Sequence, residues 1–433
     1  MAGGKGTRLA ELTGDVIPKP MVPLLGKPLL ERQVECLTKN GVRDIVMVVG
    51  HLGEVIEKYF GDGSRWGVTI RYFAEEEPLG TAGALPRMAE MLAEEFLLLF
   101  GDLLLDVDFS RMEAFHRAKR ALATLFVHPN SHPFDSDLIV SDGEGRVTGF
   151  DSKHNDRSGY WYANCVNAGL YMISKEILEY IPANQRVDLE KEVLSPLCER
   201  NAAIYAYASP EYVKDVGTVE RIRTGEQELK RGYVAARSLA HKQKAIFLDR
   251  DGTLNVLRGL IHKPEQLELE PSAVEAVRAV NASGYLAVLA TNQPAVARGL
   301  CGVEDVELIH RKLQTLLGRE GVYLDAIMWC PHHPDKGYPE ENPEYKIPCR
   351  CRKPGIGMLE DCAAAYNIDL KHSWMVGDTT VDIQTGINAG CKTALVLTGE
   401  GGRDGKYAVQ ADLTAENLLE AVRLILKDGA CSA

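Results

Sequence analysis

Three short apolar runs in the second half of the chain leave little freedom in how it folds, because each ends in side chains that carry charge or hydrogen bonds. Ala245-Ile246-Phe247-Leu248 runs into Asp249, Leu286 to Ala290 into Thr291-Asn292, and Ser373 to Val376 into Gly377-Asp378. Unbroken apolar runs of this length read as strands buried on both faces of a parallel sheet. A helical stretch, Pro271 to Ser283, separates the first two. Ligands of open α/β sheets bind beyond the carboxyl ends of the strands, so the three polar ends define one site. The first half alternates in the same way. Leu29–Asn40 is helical, Ile45–Val49, Phe96–Phe100 and Val166–Ile173 are strand-like, and Gly225–Gln243 turns helical and charged. At 433 residues the chain is too long for one ordinary core. The expected α/β organisation is a domain over 1–225, a linker or connecting helix over 226–243, and a second domain over 244–433.

Composition narrows the partners. A net charge of −12 argues against nucleic acid, whose binders carry basic surfaces. No apolar run reaches the roughly 18–20 residues that span a bilayer, and the start, MAGGKGTRL, has no apolar signal core. Small anionic substrates remain open, since local cations reverse the field in a cleft. Of ten cysteines, most are scattered singly. Three gather with a histidine, as Cys330-x-His332 and, sixteen residues on, Cys349-x-Cys351. That spacing fits a closed tetrahedral zinc site with His333 as the competing ligand. It points to a metal in a reducing cytoplasm rather than a disulfide framework.

Asp249 and Asp251 stand two apart directly after a strand, and a turn at Gly252 lets both face one pocket. A carboxylate is a competent nucleophile towards phosphorus, and a second acid can protonate the leaving alcohol and later deprotonate water. An anionic ester would be repelled unless a cation intervened, and Asp378 is placed to help hold Mg²⁺. Thr291 and Asn292 can donate to phosphate oxygens, and Lys353 supplies a positive charge. Asp249–Thr253, Thr291-Asn292, Lys353-Pro354 and Gly377-Asp378 with Asp382 resemble, in order, the motifs of the haloacid-dehalogenase phosphatases. The resemblance implies Asp249 as nucleophile, Asp251 as general acid and base, Mg²⁺ on Asp249, the Asp251 carbonyl and Asp378, and Asp382 behind them. With the zinc cluster, FLDRDGTLN, TNQ and CRKP are similar to the zinc-containing branch, the D-glycero-D-manno-heptose 1,7-bisphosphate 7-phosphatases. Only 41 residues separate Asp249 from Thr291, too few for a large cap. Arg298 and Arg352 are candidates for a second, distal phosphate.

In the first half, Gly3-Gly4-Lys5-Gly6-Thr7-Arg8 is a glycine-rich loop that can wrap backbone N–H groups around phosphates. Pro18-Lys19-Pro20, Leu79-Gly80-Thr81-Ala82-Gly83, Gly101-Asp102 and Asp215-Val216-Gly217-Thr218 follow. Together they resemble the sugar-1-phosphate nucleotidyltransferases, nearest to mannose- and heptose-1-phosphate guanylyltransferases. The resemblance implies that Gly3, Gly4, Gly6, Thr7 and Arg8 bind a triphosphate and Lys19 neutralises it. Leu79, Gly80, Thr81 and Gly83 would contact base or ribose. Asp102 and Asp215 would hold Mg²⁺, and Asn167, Gly169 and Glu190 would line the sugar pocket. One departure stands out. The family's loop follows a buried strand, and here only Met1 and Ala2 precede Gly3, so the first strand is expected to be missing. Five aliphatic residues of such a strand would contribute about 7–15 kcal/mol, which argues that Met1 is internal and that the natural chain starts several residues earlier.

The expected function is bifunctional. The second domain removes the 7-phosphate of a heptose 1,7-bisphosphate, and the first couples the 1-phosphate to a nucleotide from GTP. The cofactors are Mg²⁺ and structural Zn²⁺, and the partners are sugar phosphates and a nucleoside triphosphate, with homo-oligomers open. The alternatives are a phosphatase carrying a regulatory first domain, or a histidinol phosphatase in the second.

Overall fold

The computed structural model describes residues 1–3, 14, 16–337 and 340–431, the side chains of 429–431 excepted. Gly4, Gly6, Thr7 and Arg8 of the glycine-rich loop lie outside the described residues. Contacts divide the chain into two units. One comprises 1–128, 139–151 and 167–240, and the other 129–138, 152–166 and 241–433. The stretch read as a linker is therefore grouped with the first unit up to Ala240, and two segments of the first half are grouped with the second.

In the first unit, β1 (Asp44–Val49) runs parallel to β2 (Thr69–Ala74). β3 (Glu95–Leu99) leads through a turn into β4 (Leu103–Asp106). β5 (Ala123–His128), β6 (Val166–Ser174) and β7 (Ile204–Ala208) form a sheet in the order β7-β5-β6, and β3 adds to β6 antiparallel. β8 (Tyr212–Asp215) pairs antiparallel with β4, Asp215 opposite Leu103. Helix α1 (Leu29–Lys39) buries Leu29, Leu30, Val34 and Leu37, the spacing of one helical face. Met1 and Ala2 join the carboxyl ends of two strands. The Ala2 amide donates to the Val48 carbonyl at 2.8 Å, and the Gly101 amide to the Met1 carbonyl at 2.9 Å. Below them β1 and β3 line a cavity of about 650 Å³, with Leu30, Val34, Leu37, Leu85 and Met88 around it. Among the described residues no strand lies in it.

The second unit is one six-stranded parallel sheet. β9 (Lys244–Leu248), β10 (Tyr285–Asn292), β11 (Ala326–Cys330), β12 (Trp374–Gly377), β13 (Lys392–Val396) and β14 (Leu413–Ala415) stand in the order β11-β10-β9-β12-β13-β14. The pairings are parallel throughout. Ala245, Ile246, Phe247 and Leu248 are fully buried, which is why this sequence alternates in neither polarity nor size. Ala273, Ala276, Val277 and Val280 form the core-facing stripe of the helix Ala273–Asn281. Parallel pairing sends Asp249, Asn292, Cys330 and Gly377 to the same edge. Among the described residues no helix is long and apolar enough to cross a membrane.

Candidate functional site

The carboxyl edge of the second sheet carries a compact charged cluster. Asp249 follows β9, its amide donating to the Val376 carbonyl at 2.9 Å, which locks it beside the end of β12. The Lys353 ammonium donates to Asp249 Oδ1 at 2.7 Å and also to Asp382. Lys353 is held by a reciprocal pair with Asn292. Its amide donates to Asn292 Oδ1 at 2.9 Å, and Asn292 Nδ2 donates to its carbonyl at 3.1 Å. Asn292 thus ties the Lys353 backbone to the end of β10, and the Thr291 hydroxyl accepts from Gln293 Nε2 at 3.0 Å. Asp382 caps the helix Thr380–Ala389 in a box with Thr379.

Burial pushes the Asp249 carboxyl up to about 6, against the pull of Lys353, and pushes Asp378 up to about 8, with Asp249 and Asp382 adding repulsion. Burial alone would lower the Lys353 ammonium, but Asp249 and Asp382 outweigh it and hold it above its ordinary value. Three carboxylates against one ammonium leave a negative excess that a cation relieves. The geometry fits one. Ligand oxygens of Asp249, Asp378 and Asp382 come within 4.8 Å of one another, and Asp378 Oδ1 is buried with no hydrogen-bond partner. Gly252, at φ +84°, keeps the space open, since a Cβ there would sit 2.2 Å from Asp378 Oδ2.

Cys330, His332, Cys349 and Cys351 converge as their spacing implies. Cys351 Sγ lies 3.1 Å from both Cys330 Sγ and Cys349 Sγ and 3.5 Å from His332 Nδ1, and Cys330 Sγ lies 3.6 Å from that nitrogen. These are edges of a tetrahedron of soft donors with no open corner, the donor set of structural zinc. Hydrogen bonding with Cys330 holds the Cys351 thiol down at about 5, while that same hydrogen bond, with burial, pushes the Cys330 thiol up. His333 is outside it, its Nδ1 accepting from the Asp335 amide at 3.2 Å. Arg352 donates to the His332 carbonyl at 3.1 Å. Arg298 and Arg352 lie close enough for Arg298, with burial the larger cause, to help lower the Arg352 guanidinium.

In the first unit, the β4–β8 register brings Asp102 and Asp215 together around Lys19. The ammonium bonds Asp102 and lies 3.9 Å from Asp215 Oδ1. Arg221, which the sequence reading did not single out, pairs with Asp215 Oδ2 at 2.7 Å. Two carboxylates meeting around a cation form a pole that also suits a divalent ion. Gly80 and Gly83 pack on the segment before Glu190. Cβ atoms there would lie 2.4 Å from the Val187 carbonyl oxygen and 2.3 Å from that of Gln185. The Thr81 hydroxyl accepts from the Leu189 amide at 2.7 Å. Asn167 donates to the Tyr171 hydroxyl at 3.0 Å, which donates to Glu190 at 2.6 Å, and Gly169 donates to Asn167 at 3.3 Å. Tyr171, buried and silent in the sequence, joins the three residues named for the sugar pocket. Leu79 is buried, and Gly3 lies against Glu75.

The nucleotidyl transferase family profile matches residues 1–232 and the HAD-hydrolase-like profile residues 350–421. The chain is 34% identical over 241 residues to a mannose-1-phosphate guanylyltransferase of Mycobacterium tuberculosis, covering 55% of this chain and 66% of that one. It is 34% identical over 233 residues to a UTP–glucose-1-phosphate uridylyltransferase of Synechocystis, covering 51% and 59%. It thus spans less than two thirds of these two relatives. It is 43% identical over 188 residues to a D-glycero-D-manno-heptose-1,7-bisphosphate 7-phosphatase of Thermosynechococcus vestitus, covering 42% of this chain and 94% of that one. The chain therefore belongs to the nucleotidyl transferases through its first half and to the haloacid-dehalogenase-like heptose-bisphosphate phosphatases through its second.

Proposed function

We propose that the chain is a bifunctional Mg²⁺-dependent enzyme. It hydrolyses the 7-phosphate of a heptose 1,7-bisphosphate and transfers a nucleotidyl group, from GTP, to the resulting heptose 1-phosphate. The observation that carries the phosphatase reading is the buried Asp249–Lys353 pair beside Asp378 and Asp382 at the carboxyl edge of the sheet. Asp249 is the nucleophile and Lys353 offsets charge on the phosphoryl oxygens. Asp251 protonates the leaving oxygen and deprotonates water. A Mg²⁺ ion, held by Asp249, the Asp251 carbonyl and Asp378, would screen nucleophile from substrate. Arg298 and Arg352 receive the distal phosphate, and zinc on the Cys₃His cluster orders the loop beside them.

In the first unit Lys19 neutralises phosphate, while Asp102 and Asp215 would hold a second Mg²⁺, which would offset charge on the reacting phosphates. Glu190, Asn167 and Gly169 receive the sugar, and residues 79–83 receive the nucleoside. The mycobacterial guanylyltransferase relative supports guanine, and the equally identical uridylyltransferase relative makes UTP the competing donor. Asp249→Asn tests the assignment. Phosphate release is expected to fall at least 1000-fold with nucleotidyl transfer retained, and phosphate release near the unmodified rate would remove Asp249 from its role.

A further inference from the structure

Asp251 is caged by groups that the reaction outlined above does not use. Arg250 is wholly buried, and its Nη2 donates to Asp251 Oδ1 at 3.1 Å and Oδ2 at 3.0 Å. Asn255 Nδ2 donates to Oδ1 at 3.1 Å and Gln293 Nε2 to Oδ2 at 2.8 Å. The Gln293 amide is itself fixed, because its Oε1 accepts from Arg250 Nη2 at 2.7 Å and its Nε2 also reaches the Thr291 hydroxyl. Behind Arg250, His310 Nε2 lies 3.4 Å from Nη1 and faces Trp329 edge-on. Burial first, and Arg250 second, push His310 well below its ordinary value, so it stays a neutral acceptor. Asn255, Gln293 and His310 are buried. The named contacts on both Asp251 oxygens come from donors, and such a cage is built for a carboxylate whose rotamer cannot drift.

We propose that Arg250, Gln293 and Asn255 are positioning residues that hold Asp251 as the base of the second half-reaction. This inference rests on the phosphatase reading above. In that step a water oxygen bonds to the phosphorus of the Asp249 acyl phosphate, and the bond from phosphorus to Asp249 breaks with its electron pair returning to the carboxylate. The water proton goes to Asp251, and phosphate leaves. Misplacing a general base costs rate in that step and leaves the nucleophile untouched.

p-Nitrophenyl phosphate separates the steps, because its leaving group departs without a proton. In the full-length enzyme with Mg²⁺, Gln293→Met, which keeps volume, is expected to give a burst of one equivalent of nitrophenolate. Turnover should then slow at least tenfold, with the phosphoenzyme accumulating in acid-quenched samples. Asn255→Ala, acting on the other oxygen, should show the same pattern. Slower turnover without phosphoenzyme in both variants, or unchanged turnover in both, overturns the inference. An unmodified enzyme inert towards phosphomonoesters would overturn the phosphatase reading instead.

Discussion

Lys353 and Glu211 show what a buried charge costs and how neighbours decide its state. Lys353 is tolerated in the interior because Asp249 and Asp382 bond it directly, where an unpaired ammonium would cost several kcal/mol. Glu211 accepts from the Asp108 amide at 2.7 Å, the Leu239 amide at 2.8 Å and the Ser209 hydroxyl at 3.0 Å. Burial still pushes its carboxyl from the ordinary 4.5 up to about 7. A raised carboxyl means that the folded state holds the proton more tightly. Its stabilisation is complete below about 4.5 and lost as the pH rises through about 7. Glu211→Gln should therefore flatten the fall in stability between pH 5 and 8 by about 3 kcal/mol, measured by urea unfolding. An unchanged slope would mean that the three donors keep Glu211 ionised. At this scale the sequence was informative wherever chemistry sits at a strand end. Asp249, Asp378 and the four metal-cluster residues come together as their spacing implies. It was silent where function depends on a rotamer or a long-range partner. Nothing local announces that Asn292 bonds the Lys353 backbone, and Arg250 and Gln293 gain meaning only once β9 and β10 stand side by side.

Elements were legible where burial is uniform. The apolar runs became β9, β10 and β12 because each is covered on both faces, and helix Leu29–Lys39 ends within a residue of its expected stop at Asn40. Grouping failed where distant contacts decide it. Tyr162 and Asn164 bond Thr315 and Gln314, and Trp161 lies under Lys312 and Arg319. No periodicity in 152–166 announces that attachment to helix Val303–Arg319. The cavity between β1 and β3 is lined in part by Leu30, Val34, Leu37, Leu85 and Met88. If five added Val/Ile residues before Met1 filled it, their burial would contribute about 7–15 kcal/mol, less roughly 10–40% for a compact unfolded state. The extension should raise the melting temperature by roughly 5 °C or more and increase nucleotidyl transfer. No change in either would mean that the cavity is not a strand position. The cysteine cluster joins the end of β11 to the loop ahead of helix Gly357–Tyr366. About one zinc per chain is expected by elemental analysis, and Cys349→Ser should lower the melting temperature. Metal-free protein of equal stability would leave the four as thiols and an imidazole.

At the scale of the whole molecule, one chain is proposed to carry two consecutive reactions. On the proposed function, the product of the second half, a sugar 1-phosphate, would be the acceptor for the first, and fusion would raise its local concentration wherever the reach between sites allows. The family assignments of the halves rest on different relatives, and the proposed shared intermediate is what would unite them. The direct measurement is to incubate the full chain with heptose 1,7-bisphosphate, GTP and Mg²⁺ and to resolve the products by mass spectrometry. The expected result is GDP-heptose with phosphate and pyrophosphate released in equal amounts. Phosphate and free heptose 1-phosphate, with no nucleotide sugar from GTP or any other nucleoside triphosphate, would contradict it.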